Sequence, residues 1–414
     1  MKIRPVRGTH DLFGDDIIKY TEIERLVKEF AKLNSFRELR TPIFELTELF
    51  AKPLGEQSDV VLKEMYTFKD RNDELLTLRP EYTTPMIRAA ITNNMLNDLP
   101  LKVYGLGPMF RRERPQKGRY RQFNQINFEI FGSNDFVADL EIIVLGYDIL
   151  KSLLKKSSFK LNINSLGKKE NLIEYKSKLT QYFQDNKNKL SNDSFSKIDS
   201  NPLRILDSKN EDDTDVCKLA PSINEFISAE EKKHFEEIKS GLDFYQIDYK
   251  INHNLVRGLD YYCSTVFEFK TDNLGSQDTL LGGGRYDGLI GALGGPEIPG
   301  VGWAAGIERV LMLMPSLNYE DNQVHIAITN NKFILHFHKL TNFLKENKIS
   351  FYWNYKYNLK KSLSKANSNN TRFIIIIGEN EFKNDFYTLK NLITGNQYEL
   401  NISQLKKYLN DKSW

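Results

Sequence analysis

Five arginines, Arg111, Arg112, Arg114, Arg119 and Arg121, fall within eleven residues of a 414-residue chain that otherwise prefers lysine, with 40 Lys against 18 Arg. A guanidinium is a planar fork of donors that grips phosphate or carboxylate with two parallel bonds and stacks on bases, which an ammonium cannot do. Only five arginines follow Arg121, and three of them, Arg257, Arg285 and Arg309, sit in short glycine-containing motifs. The pattern reads as phosphate chemistry assembled from distant segments.

Directly after the arginine cluster, Gln125, Asn127 and Glu129 alternate with Ile126, Phe128 and Ile130. Period two puts three polar groups on one face of a strand and three apolar groups on the other. On an ordinary surface strand the polar face is solvated. Next to the arginine loop, a row that faces a ligand is the better reading.

Other chemistries find less support. No GxxxxGK[ST] occurs, and no GxGxxG follows a strand, so the P-loop and Rossmann classes are disfavoured. Gly282 to Gly284 alone are weak evidence for a nucleotide loop, since glycine runs often mark only tight turns. What remains is a nucleotide site built from arginines on an antiparallel sheet. The six histidines (His10, His234, His253, His325, His336, His338) form no HExxH and have no CxxC partner, so no protein-bound zinc is expected. Cys217 and Cys263 could form at most one bridge and read as reduced structural thiols.

Several elements must position these groups. Ile17, Tyr20, Ile23, Leu26, Val27 and Phe30 recur at helical spacing and predict a helix from Asp16 to Leu33. Leu75 to Glu81 alternates toward Thr77, Arg79 and Glu81, and a helix begins after Thr84, with Pro85 suited to its first turn. Val103 to Glu113 and Gln122 to Phe131 read as two strands of a hairpin joined by the basic loop RPQKGRY. Residues 166–250 turn rich in Lys, Asn, Ser and Asp and read as an inserted helical module. RGLDYY (257–262) leads into the strand TVFEF, and GVGWAAGIERVLMLM (300–314) reads as strand and turn into a buried helix. From Val324 onward strands alternate with helices, which argues for a small α/β domain beyond a linker at Pro315 to Asn322.

Composition bounds the rest. With 40% hydrophobic and 27% charged residues the chain is globular rather than disordered or fibrous. No apolar run approaches the roughly 20 residues of a membrane span, and the amino terminus has no hydrophobic signal core. A cytoplasmic protein with no membrane partner is expected. The net charge of +3 hides a division: Gln323 to Trp414 holds fourteen cations against six acids, +8, which leaves −5 for the first 322 residues. Either the tail is a solvated lysine-rich surface or it meets a polyanion such as nucleic acid.

Taken together, these motifs resemble those of the class II aminoacyl-tRNA synthetases, most closely the histidine-specific branch, over nearly the whole chain. RTPIFELTELF (40–50) is similar to the family's first motif, with its proline at Pro42; MFRRERPQKGRYRQFNQINFEIFG (109–132) and GVGWAAGIERVLML (300–313) are similar to the second and third. RGLDYY and GGGRYDGL (282–289) are similar to two motifs peculiar to the histidine enzymes. The resemblance implies an α+β fold: a class II synthetase-like antiparallel sheet with flanking helices in a catalytic domain over 1–320, the helical insertion at about 166–250, and an α/β anticodon-binding domain over 323–414.

It also implies ATP-dependent attachment of L-histidine to tRNA(His) through a histidyl-adenylate, by a homodimer built through the first motif, with Mg²⁺ accompanying ATP. Carried over by position, Arg111 binds the α-phosphate, Arg309 stacks over adenine or meets the γ-phosphate, and Arg257 meets the α-phosphate and the substrate carboxylate. Glu81, Thr83 and Gln125 hold the substrate ammonium; Glu129 and Tyr262 flank the imidazole; Tyr261 and Tyr286 shape the pocket. Arg114 and Gln116 approach the tRNA acceptor end. Asn124 and Asn127 depart from the pattern, standing where His and a small residue are expected. The other reading is the non-catalytic paralogue that regulates ATP phosphoribosyltransferase, which should lack the carboxy-terminal domain and erode the arginines and RGLDYY; this chain keeps both.

Overall fold

The computed structural model describes residues 3–51, 53–55, 60–154, 159–208, 210–275, 278–317 and 324–410. The chain divides into two compact units, residues 1–317 and 318–414.

In the first unit the strands are β1 (Arg37–Glu38), β2 (Phe44–Leu46), β3 (Tyr66–Lys69), β4 (Leu75–Leu78), β5 (Leu101–Phe110), β6 (Gln122–Phe131), β7 (Lys160–Ser165), β8 (Tyr249–Ile251), β9 (Cys263–Lys270), β10 (Thr279–Arg285) and β11 (Gly300–Gly306). Eight of them form one sheet in the order β1-β5-β6-β11-β10-β9-β7-β8. The six central strands pair antiparallel, and the two outer ones, β1 and β8, pair parallel with β5 and β7. The hairpin β5–β6 is present, with its first strand shifted two to three residues toward the amino terminus of the expected span. Strands β2, β4 and β3 make a separate small sheet.

One face of the large sheet is covered by helices. The early helix runs from Asp15 to Leu33 and buries Ile23, Val27 and Ala31. The helix Phe136–Leu153 starts at Asp135, whose side chain accepts from the Val137 amide, and packs Ile142 and Ile143 in one core with Phe128, Val301 and Trp303. The indole of Trp303 donates to the Ile142 carbonyl at 2.9 Å. The opposite face carries the polar row.

Gly282, Gly283 and Gly284 lie within β10, in the middle of the sheet. Arg285 is also placed differently from its phosphate reading. It is 2% exposed and grips the fully buried Asp139 of the helix Phe136–Leu153, while its third nitrogen donates to the Ser133 carbonyl at 2.8 Å. Alternation on β10 sends Arg285 to the helix side and Tyr286 to the other, which a glycine-flanked arginine in sequence does not reveal.

Between β7 and β8 the chain runs through helices that include Lys169–Asp185, Glu211–Lys218 and Ala229–Phe244. The last opens on a reciprocal cap between Ser228 and Glu231. Buried residues of this region, among them Leu179, Phe183 and Val216, share one core with Tyr82, Val266 and Tyr286.

The second unit is a five-stranded sheet, β13-β12-β14-β15-β16, of β12 (Val324–Ile328), β13 (Phe351–Tyr352), β14 (Phe373–Ile377), β15 (Tyr387–Asn391) and β16 (Gln397–Leu400). The first three are parallel and alternate with the helices Ile334–Glu346 and Leu359–Ser368; β15 and β16 add antiparallel.

Candidate active site

The polar row lies in a trough. Across the ladders, Gln125, Asn127 and Glu129 face Gly306, Ala304 and Gly302 of β11 on one side, and on the other Gln125 and Asn127 face Gly107 and Gly105 of β5. The small neighbours admit other side chains: Tyr82 and Arg79 occupy the space over Gly105 and Gly107, and the Glu129 carboxylate that over Gly302. The row is not a solvated face: Gln125 is 9% exposed, Asn127 1% and Glu129 0%.

Glu129 anchors one end. Its carboxylate accepts from the hydroxyls of Tyr286 at 2.5 Å and Thr83 at 2.8 Å, and from the Asn127 amide at 3.3 Å. Burial nevertheless dominates and pushes the carboxyl up to about 8. A Cβ on Gly302 would coincide with this carboxylate. Tyr261, Tyr262 and Tyr286 close around it with ring centroids 4.7 to 6.3 Å apart.

Glu81 sits where a helix begins. Its oxygens accept the amides of Thr83 at 2.7 Å and Thr84 at 2.9 Å, satisfying donors left over in the first turn of Thr83–Thr92, where a negative charge is favoured. Burial raises this carboxyl too, opposed by those bonds. Oε1 of Gln125 is buried and has no hydrogen-bond partner.

A cavity of about 180 Å³ opens over this floor and is lined by Glu81, Thr83 and Gln125 together with Arg111, Arg257 and Arg309, so segments far apart in sequence converge here. Arg111 is fixed by a bond from Nε to the Pro80 carbonyl at 2.8 Å and lies 5.5 Å over the ring of Phe123. Arg309 donates from Nε to the Gly118 carbonyl at 2.9 Å and from a terminal nitrogen to the Thr279 carbonyl at 2.7 Å. Arg257 pairs with Glu268, and its guanidinium lies over Gly282 and 5.5 Å from the ring of Tyr262. Burial lowers Arg309 to about 10, and the neighbouring cations Arg111 and Arg119 act in the same direction. Four guanidinium groups, those of Arg111, Arg119, Arg257 and Arg309, thus meet at one cavity, interleaved with Glu81, Glu113 and Glu308.

Of the five clustered arginines, Arg111 and Arg119 line the cavity. Arg121 donates to the Glu113 carbonyl, and Arg114 and Gln116 lie exposed on the loop. Tyr261 and Tyr262 line the cavity, whereas Glu129 and Tyr286 are fully buried beside it and are not among its lining residues. Sequence reasoning passed over Glu268 and Glu308. Glu268 is the one charge within the apolar strand TVFEF, a signal that was readable. Glu308 accepts from both the backbone amide and the side chain of Asn124 at 2.9 to 3.0 Å, so the departure at Asn124 ties β6 to the start of the helix Ile307–Leu311. Among the described residues, no group of three His, Cys, Asp or Glu is arranged to hold a metal ion.

Residues 8–310 match the family described as Histidyl-tRNA synthetase, and residues 323–412 that described as Anticodon binding domain. The chain is 44% identical over 400 residues to the histidine--tRNA ligase of Ehrlichia chaffeensis, a match that covers 96% of both. The solved apo histidyl-tRNA synthetase of S. aureus superposes with a TM-score of 0.81 at 34% identity, over 99% of this chain and 100% of that one. An ATP phosphoribosyltransferase regulatory subunit/histidyl-tRNA synthetase from Bacillus halodurans shares the fold alone, at TM-score 0.65 and 19% identity over 88% of this chain.

Proposed function

The chain belongs to the histidyl-tRNA synthetase family and joins L-histidine to tRNA(His) using ATP, and on that premise we propose which of its residues carry each part of the reaction. The observation that carries the assignment is the convergence of Arg111, Arg257 and Arg309 on one cavity that also holds a row of buried hydrogen-bonding groups. A triphosphate satisfies the first and an amino acid with two ring nitrogens the second.

Histidine lies along β6. Its ammonium meets Glu81, Thr83 and Gln125; in support, Oε1 of Gln125 lacks a donor that an ammonium supplies. Glu129 accepts from one imidazole nitrogen and the Tyr262 hydroxyl donates to the other, between the walls of Tyr261 and Tyr286. A carboxylate and a phenol suit a ring whose two nitrogens differ in role.

ATP lies against the arginines. Arg111 binds the α-phosphate, and Arg309, its plane held by two carbonyls, stacks over adenine or meets the γ-phosphate. Arg257 holds the α-phosphate and the histidine carboxylate together. A carboxylate oxygen then attacks the α-phosphorus, the bond to the β-phosphate bridging oxygen breaks, and pyrophosphate leaves. In the second step the terminal ribose hydroxyl of tRNA attacks the acyl carbon and AMP departs, with Arg114 and Gln116 beside the acceptor end. Positioning and charge stabilisation suffice, without a side-chain nucleophile. Mg²⁺ would accompany ATP as part of the substrate and would supply charge neutralisation on its phosphates.

The +8 tail region, with its anticodon-domain match, takes the far end of the tRNA. Two copies assemble through the small sheet, where Phe44, Leu46 and Phe68, 45 to 53% exposed, share one apolar face with Leu76 and Leu78. The dimer works in the cytoplasm; no described helix is long and apolar enough to cross a membrane. Pyrophosphate exchange over a panel of amino acids, followed by charging of tRNA(His), tests the reading. Histidine-dependent exchange is expected, and comparable exchange with another amino acid overturns it.

A further inference from the structure

The segment from Val6 to Leu12 has no helix or strand, yet it is held in one shape and pressed against the arginine loop. The Thr9 amide and hydroxyl both bond the Val6 carbonyl, at 3.0 and 2.8 Å, and make a tight turn. Gly8, at φ +89°, stands in the left-handed region and gives its carbonyl to the Arg121 amide at 2.7 Å. A Cβ there would lie 2.8 Å from Cγ of Arg121 and 2.9 Å from Pro115, so the segment approaches the loop as closely as only glycine allows. Two residues on, the His10 ring packs on Tyr120 with centroids 4.5 Å apart. Tyr120 lines the main cavity beside Arg111, Gly118 and Arg309. His10 also lines a second cavity of about 310 Å³ with Asn124 and Glu308, and Glu308 borders both cavities.

The loop therefore rests on three supports. Arg309 holds it at Gly118, residue Glu64 holds it through the Arg112 amide at 2.6 Å and through Arg119, and the amino-terminal segment holds it at Arg121 and Tyr120. Arg309 belongs to the third motif, whereas Glu64 and the amino-terminal segment belong to no motif assigned above.

We propose that His10 is a positioning residue for ATP: it acts through Tyr120, whose ring it clamps against the nucleotide end of the cavity, while Gly8 sets the distance between the amino-terminal segment and the loop. It touches neither substrate. Because Tyr120 and Glu308 border the arginine end of the cavity, and the histidine end is built from Glu81, Glu129 and the three tyrosines, the contact bears on ATP and not on histidine. A ring displaced by about 1 Å is enough to cost up to about 10²-fold in a positioned reaction.

The inference rests on the assignment of the Arg111 and Arg309 end to ATP, and the test separates the two. Pyrophosphate exchange is measured on the full-length protein with ATP and histidine varied in turn. His10→Ala should raise the KM for ATP about tenfold and leave that for histidine within about twofold. His10→Phe, which restores a ring against Tyr120, should recover most of the loss. Gly8→Ala, which pushes on the loop from the backbone, should give the same ATP-selective defect by a different route. Arg309→Ala is the control for the site itself. If Arg309→Ala raises the KM for ATP and His10→Ala does not, the clamp is wrong and the ATP site stands; if Arg309→Ala leaves ATP untouched, the ATP assignment falls and the inference with it. Equal rises in both constants for His10→Ala, or no rescue by His10→Phe, also overturn it.

Discussion

Glu129 and Gly302 are partners across the β6–β11 ladder, and the carboxylate of the first fills the space that a side chain on the second would need. The glycine holds a place open in the sheet, so the strand GVGWAAG turns Gly302, Ala304 and Gly306 toward the cavity side while Val301, Trp303 and Ala305 pack in the helix-side core.

Gly302→Ala should therefore damage histidine recognition selectively. Overpacking costs about 1–3 kcal/mol, which corresponds to a rise of about tenfold or more in the KM for histidine, while the KM for ATP should stay within about threefold. Steady-state exchange with each substrate varied, beside a thermal melt, checks this; equal rises would place the damage in the sheet as a whole.

The raised carboxyl of Glu129 gives a pH signature. Between its ordinary 4.5 and about 8 the folded chain holds a proton that the unfolded chain has released. Its contribution to stability therefore falls as pH rises through that window. An imidazole N–H donated to Glu129 favours the ionised form, so histidine binding near pH 7 should expel a proton. Calorimetry in buffers of different ionisation enthalpy should show release approaching one proton at about pH 7 and fading above about pH 9. The release should be missing in Glu129→Gln, which should also weaken histidine far more than ATP. Equal behaviour of the two proteins would mean that Glu129 donates to the ring instead.

Arg257→Ala should lower the rate of adenylate formation by about 10²-fold or more. Loss of the guanidinium does not strand its partner, because Lys270 stays 3.1 Å from Glu268 and the Thr279 hydroxyl 3.2 Å away. The variant should remain folded by circular dichroism, and near-normal exchange in it would remove Arg257 from the reaction.

Deletion from Gln323 onward should leave pyrophosphate exchange largely intact while tRNA charging falls sharply, since every proposed activation residue lies before Pro315. For the intact protein, tRNA affinity should decline with salt in proportion to the phosphates neutralised. Parallel loss of both activities in a folded dimer would assign the +8 region to support of the catalytic unit, and unchanged charging would take it out of tRNA recognition.

The strand bearing Gln125, Asn127 and Glu129 was legible because period two is a local signal, and the arginine loop because Arg is scarce in this chain. Less local facts were hidden. Glu308 reaches Asn124 across 184 residues and Arg285 reaches Asp139 across 146, separations that no spacing rule spans. Arg285 was misread for a related reason: a glycine neighbour shows that backbone comes close, but the face a side chain takes is set by register against strands elsewhere in the sequence. The carboxy-terminal α/β pattern was read as far as Phe373–Ile377; the antiparallel β15 and β16 were not, since mixed runs such as YTLKN (Tyr387–Asn391) carry weak alternation.

Both cysteines are buried and free, Cys217 in the helix Glu211–Lys218 and Cys263 at the head of β9. Burial pushes their thiols up to about 11 and about 12, so neither carries appreciable thiolate at neutral pH. A thiol dye can therefore mark the native chain only as fast as the surrounding structure breathes open. Without any engineering, the molecule carries two clocks, one timing excursions of the inserted helices and one timing those of the floor beneath the tyrosines. Their rates with and without histidine would map how far substrate stills each region.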